Sequence, residues 1–302
     1  MSVLNFLTPG AIPQEEFDAI EIEVYDAAPG VLMLVGQGGN IGISYGEDSV
    51  FMVDTQFGQL TEKILAAIKT RTAKPVQLVL NTHWHGDHVG GNSNFSERGA
   101  IIVAHERAHA RLSVDQFLGA FGQKVPAAPK EAIPVITFTE TISFNWNGDV
   151  IEVFHAPEAH TDGDAIVHFH KANVILMGDT YFNGMYPFID VDTGGSIDGM
   201  IAVADAVLAR CDDNTKIIPG HGPLSDRSDL QAYREMMVAV RAAVTKLVST
   251  GKSREEIIAE KPTNALDAAW DGGVLDSDTY VGHIYDSVTA SFTVSPVPPA
   301  SL

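Results

Sequence analysis

An α/β fold, two sheets packed face to face with helices outside, is what this 302-residue sequence predicts. Three observations carry the prediction. Short apolar runs rich in Val, Ile and Leu recur along the chain and read as strands. They fall into two halves, each running strands then helix. No sequence repeat is visible, and no apolar run reaches the ~18 residues of a membrane span.

Residues 1–20 read as a loosely attached arm, with Pro13 and the acidic pair Glu15 and Glu16. Residues 20–25 alternate apolar and polar side chains, the pattern of a half-buried strand. Runs at 31–35, 41–45 and 49–53 follow, the first two separated by the turn GQGGN, so the first ~55 residues form an antiparallel meander. Leu60, Ile64, Leu65 and Ile68 keep helical spacing, Lys69 and Arg71 suit that helix's C-terminal dipole, and Pro75 stops it. Residues 76–80 are the next buried strand, and 101–103 another. A polar helix is expected from 106 to about 118, then a Gly, Ala and Pro-rich loop over 119–134. Strands resume at 135–138, 141–145, 150–154, 165–170 and 173–177. A helix over 196–210 has Ser196 as its N-cap, and 216–218 is a short strand. A long helix spans 226–247. Ser253 with Glu256 three residues on forms a capping-box pattern before a short helix to 260. Residues 21–290 are expected to form one domain, with 291–302 a tail.

Asp and Glu number 39 against 19 Lys and Arg, a net charge of −20, which repels phosphate backbones and anionic membrane surfaces. A small-molecule substrate is therefore expected, without nucleic acid and without membrane insertion; the sequence carries no signal of oligomeric state. The single cysteine, Cys211, excludes an internal disulfide and any Cys-rich zinc framework, so metal binding rests on His and carboxylates. The N-terminus as written has no basic region and no sustained apolar region. The expectation is a cytoplasmic protein, or a periplasmic one if a leader has been trimmed.

The densest chemistry is NTHWHGDH, which places His83, His85, Asp87 and His88 within six residues. Imidazole and carboxylate together suit zinc, iron or manganese. His83 and His85 are two apart on chain leaving a strand, which puts both on one side. Gly86 turns the chain, and Asp87 and His88 can face a second ion. Further ligands must come from later in the sequence. His160 in EAHTDGD, Asp179 in MGDT and His221 in PGHG each sit at the end of a strand or strand-like segment, with small Gly neighbours that permit close backbone approach.

HWHGDH, HTDGD, GD and PGHG in that order resemble the metallo-β-lactamase superfamily. The four motifs span residues 83 to 221, and the strand–helix order extends the likeness back to about residue 20. The resemblance implies a four-layer αβ/βα sandwich of two mixed sheets and two zinc ions, with iron or manganese as alternatives. It maps His83, His85 and His160 to one ion, Asp87, His88 and His221 to the other, and Asp179 between them. Asp54, at the end of a buried strand, stands where the family often places a carboxylate that orients a ligand imidazole. His105, His109, His155, His168, His170 and His283 match no motif and read as structural.

Two ions ~3.5–4 Å apart can share a water and lower its pKa toward ~7, supplying hydroxide for attack on a carbonyl. Asp87 would carry a proton to the leaving atom, and Asp87 and Asp179 are the catalytic candidates. Asp179 stands where several β-lactamases of the family carry Cys or Ser, and a bridging Asp is more like glyoxalase II and the lactonases. Phe182 stands where some β-lactamases place a lysine. Tyr181, Phe182, Asn183 and Phe121 are candidates for the substrate pocket, with Tyr186 and Phe188 beyond them. The leading expectation is a zinc-dependent, β-lactamase-like hydrolase that opens a β-lactam or another cyclic amide or ester. A glyoxalase II-type thioesterase and an iron-dependent redox enzyme on the same fold are the alternatives.

Overall fold

A computed structural model describes residues 14–273 and 275–290. Residues 1–13 of the predicted arm and the predicted tail, 291–302, lie outside them. The remainder of the arm is docked rather than loose. Gln14–Ala19 is a helix (α1), and Phe17 is buried with its ring edge-on to Phe57 at 5.5 Å. Lys63 donates to the Phe17 and Ile20 carbonyls and fixes the exit of this turn. One aromatic among polar residues gives no periodicity from which to read such docking.

The expected meander forms. Strands β1 (Glu23–Ala28), β2 (Val31–Val35), β3 (Ile41–Tyr45) and β4 (Val50–Val53) pair antiparallel in sequence order. Helix α2 (Thr61–Lys69) then crosses to β5 (Val76–Leu80), parallel to β4. Two short helices, α3 (Gly86–Val89) and α4 (Asn92–Glu97), precede β6 (Ile101–His105) and α5 (Glu106–Leu112).

The helix expected to reach residue 118 stops at Leu112. Gln116 folds back so that its Nε2 donates to the Arg111 carbonyl at 3.0 Å, and Asp115 accepts from the Ala127 N–H at 2.9 Å. These side chains offer the backbone an alternative to another helical turn. The segment becomes a hairpin of β7 (Gln116–Leu118) and β8 (Gln123–Val125) inside the predicted loop. Strand β9 (Ile136–Phe138) completes a seven-stranded sheet, ordered β1-β2-β3-β4-β5-β6-β9.

The second half supplies β10 (Thr141–Trp146), β11 (Asp149–Ala156), β12 (Asp164–Phe169), β13 (Val174–Leu176), helix α6 (Ile197–Leu208), then β14 (Lys216–Ile218) and β15 (Ser225–Asp226). These six strands form one sheet in sequence order. Helices α7 (Arg227–Val248), α8 (Arg254–Ala259), α9 (Asp267–Trp270) and α10 (Ser277–Thr289) follow. The Ser196 cap and the Ser253/Glu256 capping box form as the sequence predicts, and Asp226 with Asp229 makes a second capping box.

Three apolar cores show the layering. Met33, Phe51, Val53, Leu80 and Val103 of the first sheet meet Val153, Val167, Phe169, Leu176 and Ile218 of the second. The outer face of the first sheet packs on α1, α2 and α4 through residues such as Phe17, Ile64 and Phe95. The second sheet packs on α6, α7 and α10 through Met200, Met237 and Ile284. Helices therefore cover both sheets on the outside, the predicted αβ/βα sandwich. No described helix is long and apolar enough to cross a membrane. Strands β4, β5, β13 and β14 run into Asp54, His83, Asp179 and His221, the carboxyl-end location at which α/β sheets place their sites.

Candidate metal centre

The seven predicted ligands converge from both sheets. A donor atom from each of His83, His85 and His160 lies within 4.8 Å of the others, and Asp87, His88 and His221 form a second such group. Asp179 lies between them. Its Oδ2 is 3.7 Å from His160 Nε2 on one side and 3.3 Å from His221 Nε2 on the other, while Oδ1 is 2.9 Å from His88 Nε2. Asp87 Oδ2 is 3.4 Å from His221 Nε2 and 3.6 Å from His88 Nε2.

What decides the chemistry is how the imidazoles are held. The Thr82 hydroxyl donates to Asp54 at 2.7 Å, so its contact with His83 Nδ1 at 3.0 Å is one it accepts, which leaves His83 Nε2 free. His88 Nδ1 donates to Asp54 at 2.8 Å. His160 Nδ1 donates to the Phe188 carbonyl at 2.9 Å. His85 Nε2 donates to Asp190 at 3.0 Å, which turns Nδ1 toward the cluster. Each of these four rings has one nitrogen tied by an outer partner and the other aimed inward. His85 Nδ1 and His160 Nε2 end 2.9 Å apart, and His83 Nε2 and Asp87 Oδ1 are buried without a hydrogen-bond partner. Such lone pairs facing one another are costly unless a cation takes them. The donor set fits two divalent metal ions.

Backbone geometry supports the arrangement. Asp54 adopts a left-handed φ of 63°, a conformation that short polar side chains tolerate. From there its carboxylate also accepts from the Thr82 N–H at 2.7 Å. A Cβ on Gly39 would lie 2.0 Å from the His88 ring, and one on Gly220 would lie 2.1 Å from Asp179 Oδ1. Only glycine lets these two loops pass so close.

Electrostatics divide the cluster. Burial drives His83 well below the usual imidazole range, with positive charge at His88 adding to it, and burial takes His160 down to about 4. Burial also opposes charge on His88 and His221, but Asp179 and Asp87 more than reverse it, leaving His88 well above its ordinary value and His221 at about 9. Burial likewise opposes charge on Asp179, yet His88 and His221 hold its carboxyl well below the carboxylate range. Without an ion, protons therefore occupy the His88–His221 side, and a metal would compete with them there.

A model of the metallo-beta-lactamase superfamily matches residues 35–252. The chain belongs to that superfamily. Among its relatives is a hydroxyacylglutathione hydrolase from Polaromonas sp., 29% identical over 184 residues, which cover 58% of this chain and 59% of the relative. A type 2 metallo-beta-lactamase from Bacillus cereus is 21% identical over 178 residues, 58% of this chain and 64% of the relative. Both matches span less than two thirds of the relative's length. A metallo-beta-lactamase structure from Pontibacter korlensis superposes with a TM-score of 0.58 at 21% identity, covering 72% of this chain and 99% of that one. A sec-alkylsulfatase from Pseudomonas sp. gives 0.62 at 16% identity, covering 93% of this chain and 52% of that one. These likenesses agree with the superfamily's fold.

Within this superfamily frame, the predicted pocket residues take different places. Phe182 stacks on His221 at 5.1 Å, and Phe121 packs on Phe188, which lies 5.5 Å from the His160 ring. Tyr181 and Tyr186 are instead core residues, packed on Tyr233 and Tyr280 respectively. Asn183 clamps the PGHG loop, its N–H donating to the His221 carbonyl at 2.9 Å and its side chain to the Pro223 carbonyl at 3.0 Å. None of Tyr181, Phe182, Asn183 and Phe121 lines the cavity of about 600 Å³ that borders the motif. Its walls include Trp84, Gly86 and Val89 of the motif segment, Leu112 of α5, and Val125 and Ala128 of the loop expected over 119–134. Asp190, Thr82 and the Phe188 carbonyl, which orient ligand rings, were not legible in the sequence. Asp190 is 105 residues from His85 and belongs to no motif. His105 and His155 stack at 3.7 Å and hydrogen-bond backbone carbonyls, and neither belongs to a metal-ligand group among the described residues.

Proposed function

We propose that this chain is a two-ion hydrolase acting on a carbonyl, with a β-lactam, lactone or similar cyclic amide or ester as its substrate. The observation that carries the reading is the set of four imidazoles, each tied by an outer partner at one nitrogen and aimed inward at the other, around a carboxylate placed between two ligand groups. Divalent ions held there, zinc being the expected choice, acidify water and polarise a carbonyl oxygen. The chain's own residues do the rest. Asp54 and Asp190 keep His88 and His85 in the required tautomers. Asp179 and His221, 5% and 7% exposed, are the most accessible members of the cluster and set the side from which substrate approaches. Asp87, buried beside His88 and His221, is placed to hold the proton that the leaving nitrogen or oxygen takes up as its bond to the acyl carbon breaks.

The names of several relatives point to a thioester of glutathione, and one observation weighs against carrying this over. Lys252, Arg254 and Lys261, the basic residues beyond position 250, are each held in an ion pair, with Glu260, Asp286 and Asp278. Each is matched by an acidic neighbour, so this region presents no excess of positive charge to glutathione carboxylates.

Zinc-loaded protein should be assayed against a panel of β-lactams, lactones and thioesters, with metal content measured on the same samples. Hydrolysis of a ring substrate is expected, with turnover cut on the order of 10²-fold or more in Asp87→Asn. Full metal content with no turnover of any of the three classes would overturn the acyl-hydrolase reading. Protein that retains iron and turns over only redox substrates would favour the redox alternative.

A further inference from the structure

Away from the centre described above, β12 carries His168-Phe169-His170. Residues two apart on a strand face the same way. Val167 and Phe169 point into the core between the sheets, as do Ile151 and Val153 on the neighbouring β11, so His168 and His170 point outward. Glu152 is the direct cross-strand partner of His168 and also points outward. The two imidazoles stack at 4.0 Å, and His170 Nε2 lies 3.1 Å from Glu152 Oε2. One donor atom from each of the three residues falls within 4.8 Å of the other two.

His168 is 93% buried, and its Nδ1 has no hydrogen-bond partner. A buried ring nitrogen without a partner is costly, and a metal is one group that relieves it. The nearby cation does not fill the role: the Arg210 guanidinium lies over the Phe154 ring at 4.4 Å and donates to the Ala206 carbonyl. His170 and Glu152 are more open to solvent, so an ion held here would keep coordination positions for water.

We propose that His168, His170 and Glu152 form a separate site for a borderline divalent cation of the zinc, nickel or copper class. Two imidazoles and a carboxylate on rigid paired strands are the ligand types those ions favour. The site is on the outer face of the second sheet, takes no part in the hydrolytic reading and does not depend on it. Its expected signature is an extra, exchangeable metal equivalent beyond those held at the seven-residue centre.

The test is a titration of chelator-treated full-length chain with Zn2+ alone, followed by native mass spectrometry. Wild type is expected to take up one equivalent more than His170→Ala. In Glu152→Gln that same equivalent should bind roughly tenfold more weakly or worse. Both substitutions are at partly exposed positions, and circular dichroism checks that the fold is kept. Neither should change turnover of a substrate found for the main centre. Equal stoichiometry and equal affinities in all three chains would overturn the proposal, as would a loss in both variants of more than one equivalent.

Discussion

Asp54 turns the chain with a left-handed backbone and directs two ligand rings from there. Held at a positive φ, its carboxylate takes the Thr82 N–H and hydroxyl and the His88 ring, so one buried acid sets the direction of His88 directly and of His83 through Thr82. Asp190 does the same for His85. Asp54→Asn tolerates the same backbone but no longer supplies a full acceptor charge, and Asp190→Asn is its counterpart. Each is expected to weaken metal affinity by about 10–100-fold, measured by competition with a chromophoric chelator. Unchanged affinity would reduce both residues to packing roles. The glycines give a second residue-scale prediction. Gly39→Ala and Gly220→Ala push a methyl into His88 and Asp179, so metal content should fall while far-UV circular dichroism stays close to wild type. At this scale the seven clustered residues were legible because their motifs are local and Gly-marked. Asp54 was legible only through the family resemblance, which places an orienting carboxylate at the end of that buried strand. Asp190 was not, since its contact is made by the folded chain and leaves no local pattern.

At the scale of elements, periodicity served where a face is buried and failed where side chains compete with the backbone. Strands β2 to β4 and α7 read correctly because apolar spacing is their main determinant, whereas the first strand begins three residues after the alternation at 20–25 and is mostly exposed. α5 read too long because Asp115 and Gln116 redirect the chain into a hairpin, an outcome set by two side-chain bonds rather than by hydrophobic pattern. α10 was missed although a signal was there: Asp276 caps it at Thr279 N, and Tyr280, Val281 and Ile284 are buried at helical spacing. The junction of β6 and α5 also makes a testable statement about pH. His105 ends β6 and stacks on His155 of β11. Burial, with positive charge at His155 and Arg107, takes its pKa down to about 4 from an ordinary 6.5. The unfolded chain then binds the proton more tightly than the folded one. His105 costs no stability above about pH 6.5, and stability falls as pH drops from there toward about 4. In chelator-treated protein, urea midpoints at pH 7.5 and 5 should therefore differ less for His105→Asn than for wild type. An equal or larger difference in the variant would show that His105 is not among the groups that make the fold acid-sensitive.

Across the whole molecule, the ligand cluster is shared between the halves. His83, His85, Asp87 and His88 follow β5 of the first sheet, while His160, Asp179 and His221 come from loops of the second. The strand–helix order predicted two sheets face to face, and the motif spacing predicted that both halves feed one site. Neither predicted what the site does to stability. The inter-sheet core already holds the halves together through side chains such as Phe51 and Phe169. The cluster adds the opposed lone pairs of His85 and His160 and two buried carboxylates at the sheets' shared edge, which bound cations would compensate. Metal binding should therefore act as a staple between the sheets, stabilising the native state by mass action. An ion present at ~1,000 times its dissociation constant contributes about 4 kcal/mol. Removing metal with a chelator should lower the thermal midpoint, and adding Zn2+ back should restore it in wild type. His85→Ala, which lacks a ligand from the first half, and His160→Ala, which lacks one from the second, should both show a smaller recovery. Full recovery in both variants would mean that these two rings bear no ion, and that the staple is confined to the Asp87, His88 and His221 side of the centre.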